Sequence, residues 1–277
     1  MAYDAATKTV VLFSGIRGDG SPPFGDTWTW DGCQWSQASP STSPPGRSFG
    51  TLAFDASSGK LILFGGGAAN ADPGRNDTWS WDGSTWRQEH PASSPPKLDQ
   101  ALMAADPGNH NLVLFGFGLQ DNQPGTWTWD GSNWTKHQSP APPYRGSAGM
   151  AFGARSGVLL FGGQPGETDA LNDTWVWDGR AWSQLHPVTT PQGGAVVMAH
   201  EDARHDVLLV EHDGTWTWTG SNWSQQHPAS TPPFHLFRSI AYDAARERVV
   251  LFGGKSPAND QPTDDTWTWD GARWSRA

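Results

Sequence analysis

One cysteine, Cys33, stands among 277 residues. An internal disulfide is excluded, and so is a metal cage built on thiolates. Tyrosine is scarce, at three, and charge is sparse, with 17% of residues Asp, Glu, Lys or Arg. The formal net charge is −10, and no cluster of Lys and Arg breaks that balance. Nucleic acid and anionic membranes are therefore not the expected partners. No apolar run approaches the roughly 18 residues of a helical membrane span, so no membrane insertion is expected. The first residues, MAYDAATKTVVLF, show neither the basic n-region nor the cleavage site of a secretory signal, though an excised segment would read the same way. Helical periodicity is missing throughout.

What the chain does have is turn formers and tryptophan: 33 Gly, 22 Pro and 18 Trp. The tryptophans are not scattered. DTWTWDGCQW at Asp26 returns as DTWSWDGSTW at Asp77, GTWTWDGSNW at Gly125, DTWVWDGRAW at Asp173, GTWTWTGSNW at Gly214 and DTWTWDGARW at Asp265. Six copies of three consume every tryptophan, at a period of about 48 residues. Upstream of each copy lies an apolar run such as VVLFSG, LILFGG or VLLFGG. Before that comes a shorter run such as TLAFD or IAYD, and Pro-rich connectors such as QASPSTSPPGRS join the units.

Each unit reads as four strands of four to seven residues bounded by Gly, Pro, Asp or Ser. Strand a is the TLAFD-type run and strand b the LILFGG-type run; strand c is TWTW, and strand d surrounds the third Trp. Strand b is apolar at every position, as expected for a strand covered on both faces. Six such units predict an all-β fold, a six-bladed β-propeller of four-stranded antiparallel blades, spanning 1–277 as one domain. Met1 aligns with Leu52, Met103, Met150, Met198 and Ile240, so each blade is expected from one repeat, with no exchanged strand closing the ring. A lost seventh repeat upstream would leave the same sequence.

The pattern of a strand ending in Gly-Gly, a variable loop, an aromatic strand, a turn and a further Trp resembles the kelch repeat, and it covers essentially the whole chain. WD repeats fit less well, because their Gly-His element is absent. The sialidase Asp-box also fits less well, because Asp and Gly are adjacent here. The resemblance implies ligand binding on the face that carries the b–c loops and d–a connectors.

Asp-Gly between strands c and d predicts a two-residue type I′ hairpin. Trp30 would then pair with Cys33 and Trp28 with Trp35, placing three indoles on one face. Identical use in every repeat favours a core between blades over six sugar-stacking platforms. Asp26, Asp77, Asp173 and Asp265, just before the first Trp, are expected to bond to loop amides.

Function is sought where the copies differ. The b–c loops are long and unlike one another, except in blade 5, where EHDG joins the strands almost directly and should leave a notch. One position before strand a reads Arg47, Leu98, Arg145, Gly193 and His235, with Arg238 deeper in blade 6. These residues are expected to ring the mouth of the central channel, where arginines can fork onto ligand carboxylates. They would alternatively pair with acidic b–c loop residues or cap carbonyls. In blade 5, Glu211 and His212 replace the Gly-Gly, within an ionisable group that includes His200, Glu201, His205 and Asp213. Zinc or acid–base chemistry would suit such a group, and a decayed repeat would look the same. The candidate ligand-binding set is thus Arg47, Arg145, His235, Arg238, Glu211 and His212, with no catalytic residue, metal or cofactor assigned.

The leading reading is a non-catalytic, monomeric binding module for a protein or glycan. A sugar-modifying enzyme at the channel mouth is the alternative. Galactose oxidase, which has a kelch-type propeller, joins a Cys to a Tyr, but Cys33 lies in a c–d turn away from Tyr3, Tyr144 and Tyr242. Kelch-like sialic acid mutarotases would need basic and acidic groups at the mouth, with which Arg47, Arg145, Glu211 and His235 are loosely compatible. A structural unit of a larger extracellular protein is the third reading, and an extracellular or cell-surface setting is favoured over the cytoplasm.

Overall fold

The computed structural model describes residues 1–16, 21–67, 74–154, 156–166, 169–204, 206–259 and 261–277. The chain divides into two compact units, Met1–Ala141 and Pro142–Ala277, each with three antiparallel four-stranded sheets. In the first unit, blade 1 comprises β1 (Ala2–Asp4), β2 (Thr9–Gly15), β3 (Phe24–Trp30) and β4 (Trp35–Ala38). Blade 2 comprises β5 (Thr51–Asp55), β6 (Lys60–Phe64), β7 (Thr78–Trp81) and β8 (Trp86–Glu89). Blade 3 comprises β9 (Leu98–Asp106), β10 (Asn111–Gly118), β11 (Pro124–Trp129) and β12 (Trp134–His137).

In the second unit, blade 4 comprises β13 (Gly149–Phe152), β14 (Val158–Phe161), β15 (Thr174–Trp177) and β16 (Trp182–Leu185). Blade 5 comprises β17 (Val197–Glu201), β18 (Asp206–Glu211), β19 (Gly214–Trp218) and β20 (Trp223–Gln226). Blade 6 comprises β21 (Ser239–Asp243), β22 (Arg248–Phe252), β23 (Thr266–Trp269) and β24 (Trp274–Arg276). Each sheet is built from four consecutive strands, so each repeat makes one blade. No helix among the described residues is long and apolar enough to cross a membrane. In blade 3, β9 and β10 reach 9 and 8 residues, past the expected four to seven. The ladder there continues beyond a bulge after Phe115, with Phe117 opposite Asp99 and Gly118 opposite Leu98.

The continuous apolar b strands have two buried faces, and side-chain alternation assigns each residue to one of them. In β6, Leu61 and Leu63 join Ala2 and Val11 of blade 1, with Trp79, Trp81 and Trp86. Ile62 and Phe64 point the other way, into a cluster with Leu112, Leu114, Trp127, Trp129 and Trp134 of blade 3. The second unit repeats this arrangement: Leu159 and Phe161 of blade 4 pack with Trp216, Trp218 and Trp223 of blade 5.

The tryptophans are core. Fourteen of the eighteen are buried and none is exposed, which removes the stacking-platform arrangement. Each buried indole removes about 150–250 Å² from water, roughly 4–6 kcal/mol of gross transfer free energy. The third indole of a blade also makes a specific contact with the blade before it. Trp86 Nε1 donates to Thr27 Oγ1 at 2.9 Å, and Trp134 Nε1 to Thr78 Oγ1 at 2.9 Å. Trp223 Nε1 donates to Thr174 Oγ1 at 3.0 Å, and Trp274 Nε1 to Thr215 Oγ1 at 2.9 Å. The same indoles stack on the preceding strand b: Trp86 on Phe13, Trp134 on Phe64 and Trp223 on Phe161, with centroids 5.0–5.4 Å apart.

The c–d hairpin differs from the two-residue turn expected from Asp-Gly. Trp30 pairs with Trp35, and Trp28 with Gln37. The loop is four residues long, closed by Asp31 N–H donating to the Gln34 carbonyl at 3.3 Å. Asp31 Oδ1 accepts the amides of Cys33 and Gln34 at 2.8 and 2.9 Å, and of the loop residues only Gly32 has a positive φ, 98°. A type I′ turn needs both central residues at positive φ, whereas the aspartate's local hydrogen bonds stabilise the longer loop. The three indoles still share a face, with the second and third in direct contact at 5.2–5.7 Å in every blade.

Thr78→Val keeps the shape of the side chain but leaves the Trp134 N–H buried without an acceptor. It is expected to destabilise the protein by about 1–3 kcal/mol in urea unfolding. Adding Trp134→Phe should cost clearly less than the sum of the two single changes, since the orphaned donor is then gone.

Candidate functional site

Two blades carry the same buried ion pair. Arg47, just before β5, donates through Nη1 and Nη2 to Asp77 Oδ1 and Oδ2 at 2.7 and 2.9 Å. Its Nη1 also reaches the Gly65 carbonyl at 2.8 Å and its Nε the Pro45 carbonyl at 3.1 Å. Asp77 Oδ2 further accepts the Trp79 indole N–H at 2.7 Å. In blade 4, Arg145 forks onto Asp173 at 2.7 and 3.0 Å, reaches the Gly162 carbonyl, and Asp173 accepts the Trp175 N–H. Both arginines are buried, at 2% and 1% exposure, and their donors are engaged inside the protein. Asp77 and Asp173 hold an arginine fork and an indole, not the loop amides expected of them. Asp26 likewise accepts the Trp28 indole N–H, at 2.8 Å.

In blades 2 to 5 the two charges are retained or replaced together. Blade 3 has Leu98 and Gly125 at the two positions, and blade 5 has Gly193 and Gly214. Removing one member of a buried pair strands the other, so joint replacement is the tolerable change. In blade 5 the vacated position is served by Glu211 at the end of β18. Its carboxylate accepts the Gly193 and Gln192 amides at 2.9 and 3.2 Å. Burial pushes the Glu211 carboxyl up from its ordinary range, and the two amides oppose that shift only in part.

Blade 6 breaks the pattern in a third way. His235 stands at the arginine position, buried, with Nδ1 3.2 Å from Thr263 Oγ1. Asp265 stands at the aspartate position but is bonded by Arg276 of β24. Arg238, three residues after His235 and 9% exposed, lies over the Phe234 ring, with its Cζ 5.4 Å from the centroid. Its one hydrogen bond among the described residues is long, 3.5 Å to the Pro233 carbonyl. Burial lowers its pKa to about 10. Arg238 and His235 both pack on Gly254: a Cβ there would stand 2.8 Å from the Arg238 Cγ and from the His235 Cβ.

Blade 5 has almost no b–c loop. Glu211 pairs directly with Gly214 across the β18–β19 hairpin, with His212 and Asp213 at its tip. Beside the tip is a depression of about 150 Å³ lined by Glu211, His212, Asp213, Thr231 and Pro232. The His212 side chain is 74% exposed, and its Nδ1 is 2.5 Å from Asp213 Oδ1. Its ring stands edge-on to Phe234, with centroids 4.9 Å apart. His212, Phe234 and Arg238 thus form a continuous row on this face of the second unit.

Of the six candidates read from the sequence, the structure brings His212 and Arg238 together through Phe234 and places Glu211 beside them. His235 lies next to Arg238, and Arg47 and Arg145 are held in their own blades. Phe234 was not among the candidates; its signal was PPFH, which repeats the PPYR before β13 with an aromatic at the same place. The pairing of Asp265 with Arg276 left no signal in the sequence. The larger ionisable group is split, because Glu201 pairs with Asp206 at the opposite end of β18 from Glu211. His200 lies near that far end, 3.1 Å from Asp202, and His205 lies outside the described residues. Parts of the long b–c loops, 17–20, 68–73, 167–168 and 260, also lie outside them. Among the described residues no three His, Cys, Asp or Glu side chains form a metal-holding group.

No family model matches the chain, and no curated protein sequence does. A solved structure does: that of YjhT aligns over 98% of this chain and 94% of its own, with a TM-score of 0.68 at 13% identity. At that identity the likeness concerns the fold alone. The fold is all-β, six four-stranded antiparallel blades of a β-propeller.

The Arg47–Asp77 pair has a readable pH signature. Burial alone would raise the Asp77 carboxyl, but the Arg47 hydrogen bonds and charge, with the Trp79 N–H, outweigh it and hold it below the usual range. Its stabilisation is therefore present above the unfolded carboxylate pKa of about 3.9 and is lost as pH falls through the lower folded value. Arg47→Leu is expected to cost about 3 kcal/mol at neutral pH, with the deficit shrinking in acid as Asp77 protonates. The double change Arg47→Leu with Asp77→Gly reproduces blade 3 and should cost less than Arg47→Leu alone. Urea unfolding across pH 3–7 measures both.

Proposed function

We propose that the chain is a kelch-like binding module without catalytic chemistry of its own. Its ligand, a protein or glycan, sits on the b–c loop face of the second unit. The observation that carries this reading is the depression at the tip of the β18–β19 hairpin, opened where blade 5 lacks a b–c loop. Binding sites on repeat scaffolds form where regular backbone stops and irregular side chains begin. Here an exposed imidazole, a half-buried phenyl ring and a buried guanidinium follow one another at steps of 4.9 and 5.4 Å. The Glu211 carboxylate, engaged by the Gln192 and Gly193 amides, shapes the floor and is not a free acid or base.

Peptide and glycan arrays probed with the purified protein test this reading. A ligand found there should bind at least tenfold more weakly after Phe234→Ala. It should also weaken after insertion of a six-residue Gly/Ser loop between His212 and Asp213, which restores an ordinary b–c loop. Unchanged binding by both variants, folded as judged by near-UV circular dichroism, would place the site elsewhere.

A further inference from the structure

Three blades of this chain carry an arginine just before strand a, and the chain itself shows what such an arginine requires. Arg47 and Arg145 are buried, and each has a bidentate carboxylate together with backbone carbonyls. Arg238 is buried to nine-tenths and forms no ion pair among the described residues. The carboxylate that its blade could have offered, Asp265, stands where Asp77 and Asp173 stand, but Arg276 occupies it. A buried guanidinium presents five N–H donors in a planar fork matched to a carboxylate. Leaving that fork without an anion is costly in a low-dielectric setting. The Arg238 Cζ lies 5.4 Å from the Phe234 centroid, which lowers the cost by cation–π attraction, but beyond the long bond to Pro233 no described residue takes up its N–H donors. The Phe234 ring in turn leads to His212 and the depression.

We infer that Arg238 is an anion-anchoring residue, its uncommitted N–H edge taking a carboxylate of the ligand while Phe234 and His212 contact the ligand's body. The inference rests on the binding reading above and names the chemical class of what is bound there: a carboxylic acid carried on a ring or a compact apolar frame. His235, held by Thr263, and Gly254 beneath it fix the segment from which Arg238 projects. Arg238→Lys would keep the charge but lose the planar fork.

Two pairs of probes test the idea: D-glucuronate against D-glucose, and benzoate against benzamide. Binding is followed by saturation-transfer NMR and by the shift in unfolding temperature. At least one acid should bind, and its neutral twin should bind at least tenfold more weakly; which acid binds tells a sugar acid from an aromatic one. Arg238→Met should weaken the acid at least tenfold, and Arg238→Lys should give an intermediate loss. Arg238→Met should also unfold at a temperature no lower than the parent, because it removes a buried charge without stranding a partner.

Failure of every acid to bind the folded parent overturns the inference. So does equal binding of the neutral twins, or undiminished binding by Arg238→Met. If Arg238→Met does not fold, Arg238→Lys decides: binding equal to the parent's overturns the inference. The binding reading fails separately. A neutral array ligand lost on insertion at His212 would keep that reading while sinking this one.

Discussion

The buried hydrogen bond from an indole of one blade to a threonine hydroxyl of the blade before it is the contact on which the rest of this structure depends. It recurs at all four blade-to-blade junctions within the two units, at 2.9–3.0 Å. Sheets that pack face to face through apolar side chains alone can slide. A directed N–H to O bond in a dry interface fixes both the spacing and the register of neighbours, because displacing it leaves a donor without water or acceptor. The preference for Trp over Phe at the third position follows from this. So does the Thr just before the first Trp of the c strand at Thr27, Thr78, Thr174 and Thr215.

A second constraint acts on electrostatics. The strand-a arginine and strand-c aspartate are sequestered together in blades 2 and 4 and absent together in blades 3 and 5. Blades 2 to 5 thus act as an internal set of variants, in which the members of a buried pair are kept or replaced jointly. Blade 6 departs from both solutions. Its aspartate is diverted to Arg276, and its own arginine has moved three residues along and lost its counterion. Departures from a repeat carry information about function when they leave a physical requirement unmet, and Arg238, buried without the carboxylate that Arg47 and Arg145 hold, is such a departure.

The proposed site follows from that asymmetry. In blades 2 and 4 the arginine before strand a is spent on the aspartate of strand c. Blade 5, with its shortened b–c connection, and blade 6, with its displaced arginine, are neighbours in sequence. Their irregular residues meet at the hairpin tip through Phe234. The irregularity of each blade alone would read as decay of the repeat, and their adjacency sets His212, Phe234 and Arg238 in contact with one another.

The blade count, the strand order and the double burial of the b strands were legible in the sequence, because they follow from spacing and periodicity repeated six times. So was the notch expected where EHDG replaces a long loop. The c–d register was misread by the Asp-Gly rule. The aspartate carboxylate, an acceptor for two amides, stabilises a four-residue loop that the dipeptide alone does not announce. The arginines show the limit most clearly. Arg47, Arg145 and Arg238 are alike as letters, each just before an a strand. Whether such a side chain is neutralised inside the protein or left for a ligand depends on which carboxylate stands within 3 Å, and carboxylates about thirty residues away in sequence settle that. Local pattern therefore determined the blades and their order, and only tertiary packing decided which of the three arginines was left without a carboxylate.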